Sequence, residues 1–168
     1  MTTHLSRKDL RRLRLHAHLL AGSRKATVED VVARLLAVQA QDPAQAGWVL
    51  GIRTESATAA DVASSFSAGR LVRAWPMRGT LHIVNPCELG WMLALTTPRM
   101  LARTATRRRQ LELDDSVLDR ASEIAVTELA GGRSLSRSGF MAALEVAGIP
   151  TTGQRGYHII YHLAQVGL

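Results

Sequence analysis

The chain has 168 residues, 46% hydrophobic and 21% charged, with a formal net charge of +7. This length accommodates one medium domain or two small ones, and two are expected. No apolar run approaches the ~20 residues of a membrane span, so a membrane protein is excluded. The basic amino terminus lacks the uninterrupted apolar core of a secretory signal, and the chain reads as cytoplasmic. Clustered positive charge favours a polyanionic partner, nucleic acid foremost. With only two lysines, an arginine-rich compositional bias also fits, but it does not account for the net excess. The single Cys87 excludes an intrachain disulfide and a multi-cysteine zinc site, and is expected to be a buried small hydrophobe.

Ser6 as N-cap, with Asp9 three residues on and a Leu5–Leu10 staple, predicts a helix over 7–20 whose apolar side is Leu10, Leu13, Ala17 and Leu20. Arg7, Lys8, Arg11, Arg12 and Arg14 crowd its first half, where cations oppose the macrodipole. A phosphate partner or a solvated face accounts for them equally. Thr27 with Asp30 caps a second helix carrying Val31, Val32, Leu35 and Leu36, which is expected to end near Gln39 and Gln41. Pro43 biases Asp42 away from the helical region, and the two serve as N-cap and first position of a third helix through Trp48, Val49 and Leu50. Thr58 and Asp61 open a fourth, closed by Gly69.

The pattern then becomes LVRAWPMRGTLHIV. Its arms, 71–75 and 80–84, flank a turn region containing Pro76 and Gly79, the signature of a hairpin. Helices followed by a hairpin give the order of a winged helix, with the hairpin as wing. Arg78, Thr80 and His82 alternate with apolar positions and share a face if the arm is extended. Asn85 and Pro86 start a long helical region, expected to restart after a kink at Thr97 and Pro98, with Arg99, Arg103, Arg107, Arg108 and Arg109 at its basic end. Helices over 116–130 and 137–147 follow, closed by Gly131 and Gly148. GQRGYHIIYHLAQV then stands where a recognition helix belongs, with Gln154, Arg155 and His158 near its start. The expected fold class is therefore mainly α with a short β-hairpin, as tandem winged-helix modules: 1–84, a connecting segment 85–113, and 114–168, the second truncated before its wing.

Familiar chemical motifs are largely absent. His158 and His162 have the spacing of a zinc pair, but Ile159 stands where a metallopeptidase needs glutamate, so two partly buried helix histidines are expected and no metal. GxGxxG, GxxxxGKS and GxSxG do not occur, which removes phosphate-loop and serine-hydrolase chemistry. The VQAQDP stretch stands out. On a helix Gln39 and Gln41 diverge, but in an extended segment they share a side and can converge on a water. A hydrogen-bonding cluster at a helix end is the plainer alternative.

LSRKDLRRLRL, LLAVQAQDP, RAWPMRGTLHIV and TTGQRGYHIIYHLAQVGL together resemble the AlkZ/YcaQ family of bacterial DNA glycosylases, over nearly the whole chain. The family's glutamine, apolar residue, glutamine motif is matched by Gln39, Ala40 and Gln41, although some members carry aspartate at the second polar position. The MRGTLH stretch is similar as well. The resemblance implies tandem winged helices, normally with a third module whose hairpin engages damaged DNA, and excision of alkylated purines or unhooking of interstrand crosslinks. It implies catalytic roles for Gln39 and Gln41, double-stranded DNA as partner, and no cofactor. Arg73, Arg78, Thr80, His82 and Arg155 are the candidate DNA contacts. A tandem winged-helix transcriptional regulator without chemistry is the competing reading.

Overall fold

Local capping chemistry starts most of the helices. The computed structural model describes residues 4–168. Helix α1 (Arg7–Ala17) opens with the expected capping box, in which Asp9 N–H donates to Ser6 Oγ and Ser6 N–H to Asp9 Oδ2. Its predicted apolar side is exposed: no side chain of α1 is buried, and Leu10 and Leu13 are each about half exposed. Helix α2 (Val28–Leu35) follows its Thr27 cap and ends before the glutamines, because Leu36 turns to φ 67°. The chain then extends as strand β1 (Val38–Gln39). Asp42 Oδ1 accepts from Ala44 N–H at 2.8 Å and Gln45 N–H at 3.1 Å, starting α3 (Pro43–Gly51) with proline at its first position. Thr58 and Asp61 form a second capping box at α4 (Ala59–Ser67).

Strands β2 (Val72–Met77) and β3 (Thr80–Val84) form the hairpin, and β1 joins it to make a three-stranded sheet of order β1-β3-β2. The hairpin alone was legible in the sequence; two-residue β1 is too short to show a period. Pro76 lies within β2 rather than in the turn, which is compatible with the strand's place at the sheet edge. The turn itself is only Arg78 and Gly79, at φ 58° and 73°. Two successive positive φ angles define the type I′ geometry that matches strand twist.

Helix α5 (Pro86–Gln110) runs through Pro98 as a single helix, contrary to the expected restart. Met92 and Leu93 before the proline and Met100 after it are buried, so the helix is packed on both sides of it. Cys87, on the first turn, is exposed rather than buried. Helices α6 (Asp115–Leu129), α7 (Arg137–Val146) and α8 (Arg155–Val166) complete the chain, with a 3-10 turn at Ala130–Gly132. Gly148, at φ 76°, follows α7 in the helix-ending role expected for it.

Two compact units result. The first comprises the chain through Ala74 with Thr80–Leu89; the second comprises Trp75–Gly79 with Gly90–Leu168. In the first, Val28, Val31 and Val32 of α2 pack with Leu50 of α3, Val62 of α4, Leu71, and Val38 and Ile83 of the sheet. In the second, Leu118, Ala121 and Ala125 of α6 pack with Phe140 and Leu144 of α7 and Ile159 and Leu163 of α8. The hairpin tip belongs to this unit, where Trp75 meets Tyr161 edge-on at 5.6 Å and Pro76 O accepts from Thr96 Oγ1. No helix among the described residues is long and apolar enough to cross a membrane.

Candidate functional site

The first unit presents the glutamine pair through strand geometry. Val38 pairs with Ile83 and Gln39 with His82 in antiparallel register. Side chains alternate along the segment, so Val38 and Ala40 enter the core while Gln39 and Gln41 are exposed. The Gln39 side chain has no hydrogen-bond partner among the described residues.

One rung beyond that register, side chains replace part of the backbone ladder. Ala40 N–H donates to the Leu81 carbonyl at 2.8 Å. A regular pair would return the bond from Leu81 N–H to the Ala40 carbonyl. Instead, Leu81 N–H donates to Gln41 Oε1 at 2.8 Å, and the Ala40 carbonyl accepts from Arg73 Nε at 2.7 Å. Arg73 Nη2 also donates to the Gln41 carbonyl at 3.0 Å. Because Leu81 supplies a hydrogen, the Gln41 atom facing it must be its oxygen, which turns Nε2 and its two donors away.

His82 is only 8% exposed, so it is not the surface contact expected from its alternation in β3. Its Nδ1 lies 2.9 Å from the Thr80 carbonyl, an acceptor, which places a hydrogen on Nδ1. Thr80 is half-buried, and Arg78 sits in the turn rather than on the extended arm. The three therefore do not line up on one strand face.

In the second unit Arg155 is held by the fold. Its Nε donates to the Pro150 carbonyl at 2.9 Å, and its Nη1 to the carbonyls of Glu112, at 3.2 Å, and Leu111. Nearby, Arg107 Nη2 donates to Gln154 Oε1 at 2.9 Å, and the Arg137 guanidinium lies 5.7 Å from the centre of the Tyr157 ring. Arg137, Met141, Thr151, Gln154 and Tyr157 line an open cavity of about 510 Å³ beside the start of α8. Sequence reading did not single out Arg137 or Tyr157; their helices were legible, their approach was not. His158 and His162 are partly buried, and the Nδ1 of each is buried without a partner. Burial, reinforced by the charges of Arg107 and Arg108 respectively, pushes both imidazoles below their ordinary range, while Asp115 and Asp119 oppose the shift at His162. No group of three His, Cys, Asp or Glu side chains among the described residues could hold a metal.

The architecture is that of winged-helix modules: the solved structure of Streptomyces sahachiroi DNA glycosylase AlkZ matches it with a TM-score of 0.74 at 24% identity, over 92% of this chain and 43% of that one. The family model described as DNA glycosylase AlkZ-like matches residues 32–168. The chain belongs to that family. Over 82 residues, 49% of the chain, it is also 33% identical to an interstrand DNA cross-link repair glycosylase of Streptomyces sahachiroi, of which the match covers 22%. The chain thus spans less than half the length of each.

Proposed function

We propose that this chain carries the water-positioning site of a DNA glycosylase that hydrolyses the N-glycosidic bond of N7-alkylated purines or unhooks interstrand crosslinks. The observation that carries this reading is the exposure of Gln39 and Gln41 on one side of an extended segment, with different atoms available. Gln39 Oε1 accepts a hydrogen from the attacking water, and Gln41 Nε2 donates to that water's oxygen, leaving a lone pair directed at the sugar. An N7-alkylated purine is already cationic and departs without strong acid catalysis. Amide dipoles then suffice to orient water and stabilise an oxocarbenium-like centre, and uncharged purines are poor substrates.

Double-stranded DNA is the partner in this reading. Arg78, exposed and without a hydrogen-bond partner among the described residues, is the best placed of the proposed contacts to meet a phosphate. Thr80, His82, Arg73 and Arg155 are less available, because each is half-buried, buried or bound to main-chain carbonyls. The test is release of 7-methylguanine from alkylated duplex. Replacing both Gln39 and Gln41 by Ala is expected to slow release on the order of 10²-fold, and an unchanged rate overturns the mechanism. The non-catalytic regulator reading draws on Gln154 and Tyr157, exposed at the start of α8. It predicts sequence-specific duplex binding with no base release.

A further inference from the structure

The substituted rung between β1 and β3 points to a role for Arg73 other than holding DNA. Arg73 reaches two consecutive carbonyls, those of Ala40 and Gln41, through Nε and Nη2. A guanidinium presents these donors side by side in a rigid fork, whereas an ammonium is a single point donor. Arg73 donates to the Ala40 carbonyl, the acceptor that Leu81 N–H would meet in a regular ladder. Leu81 N–H takes Gln41 Oε1 instead, which fixes the direction of the Gln41 carboxamide. The two contacts depend on each other: without the guanidinium nothing ties the Ala40 and Gln41 carbonyls together beside β3, so Gln41 is released and Leu81 N–H loses its acceptor.

We infer that Arg73 is a positioning residue, which holds the carbonyls of Ala40 and Gln41 so that Gln41 is locked onto Leu81 N–H and the glutamine pair is presented in one arrangement. This rests on the glycosylase reading for its catalytic consequence, but not for the clasp itself. Its part in excision is to fix the spacing of Gln39 and Gln41, not to supply duplex affinity, so Arg73 acts on the rate at saturation rather than on binding.

The test uses the full chain and its Arg73→Ala and Arg73→Lys variants, with three measurements. In single-turnover release of 7-methylguanine at saturating duplex, both variants are expected to fall about tenfold or more, since lysine keeps the charge but cannot span two carbonyls. Affinity for the same duplex, measured at one fixed salt concentration, is expected to stay within about threefold. Exchange of the Leu81 amide hydrogen is expected to change by about tenfold or more, while the buried Leu50 amide serves as the control for folding. A full saturating rate with weakened affinity overturns the inference and makes Arg73 a phosphate contact. Unaltered Leu81 exchange overturns the clasp, as does full activity in Arg73→Lys. If the wild-type chain releases no base from alkylated or crosslinked duplex, the glycosylase reading falls and the catalytic role of Arg73 with it; altered Leu81 exchange would then show the clasp standing as a structural feature alone.

Discussion

The two units differ in how many buried polar atoms they leave unpaired: among the described residues, three lie in the second and one, Asn85 Oδ1, in the first. In the first, Gln41 and Arg73 are exposed yet bonded to main chain of the sheet region. In the second, His158, His162 and Gln165 each carry a buried atom with no partner, Gln165 at 1% exposure, beside groups such as Arg155 that are bonded to main chain. Exposed groups held by hydrogen bonds form a surface whose geometry is set before a ligand arrives. Buried groups with unpaired atoms are a desolvation burden that the surrounding packing must outweigh. The first arrangement suits recognition and chemistry; the second makes the helical unit sensitive to its surroundings.

The comparison can be broken most strongly through the packing that carries the second unit. Ile159 is fully buried, and Ile159→Ala is expected to cost about 2–5 kcal/mol in urea unfolding through the cavity it leaves. A cost well below that range would mean the helical core relaxes around the loss and is not what offsets the unpaired atoms.

Acid provides the next test. The folded-state pKa values of His158 and His162 lie below the ordinary histidine value, mainly through burial. As pH falls below about 6.5 the unfolded chain binds protons first, so stability is complete above that value and is lost progressively towards the folded-state pKa values. Each histidine contributes a slope of at most about 1.4 kcal/mol per pH unit. Thermal unfolding of the His162→Gln variant should therefore show a flatter dependence between pH 7 and 5 than the wild type. Equal slopes would remove the histidines from the account.

A smaller effect separates stability from binding. Arg78 is held at φ 58°, which asparagine tolerates better than arginine, and Arg78→Asn is expected to raise stability by up to about 1 kcal/mol while weakening duplex affinity. A change of both quantities in the same direction would show that the turn residue is chosen for folding alone. The smallest expected effect concerns a charge pair outside this comparison. Arg70 Nε meets Glu29 Oε1 at 2.7 Å on the surface of the first unit, and Glu29→Gln should cost under about 1 kcal/mol and less still in high salt. A larger cost would show that charge, as well as polarity, matters to that unit's surface.

Short-range chemistry was legible in the sequence. Ser6 with Asp9, Thr27 with Asp30, Asp42 with Pro43, and Thr58 with Asp61 act within one helical turn, and each caps the helix expected of it. The extended segment in which Gln39 and Gln41 share a side was legible; their exposure was not. The partners of Gln41 were not legible, because Leu81 N–H is 40 residues away and Arg73 is 32 away from Gln41. No periodicity records which carbonyl an arginine will take. Arg155 shows the same limit: a cation at the head of a recognition helix reads as a phosphate contact, yet its guanidinium closes main-chain carbonyls of its own unit.

The sheet's borders have a consequence for association. Strand β1 is only two residues long. Strand β2, at the opposite border, contains Pro76, which has no N–H to offer. The carbonyls of Trp75 and Pro76 are taken by Gln165 Nε2 and Thr96 Oγ1. An incoming strand needs a run of vacant donors and acceptors to template on; β1 is too short to supply one, and Pro76 interrupts the run along β2. The chain can therefore display a small sheet at high concentration without recruiting other copies edge to edge.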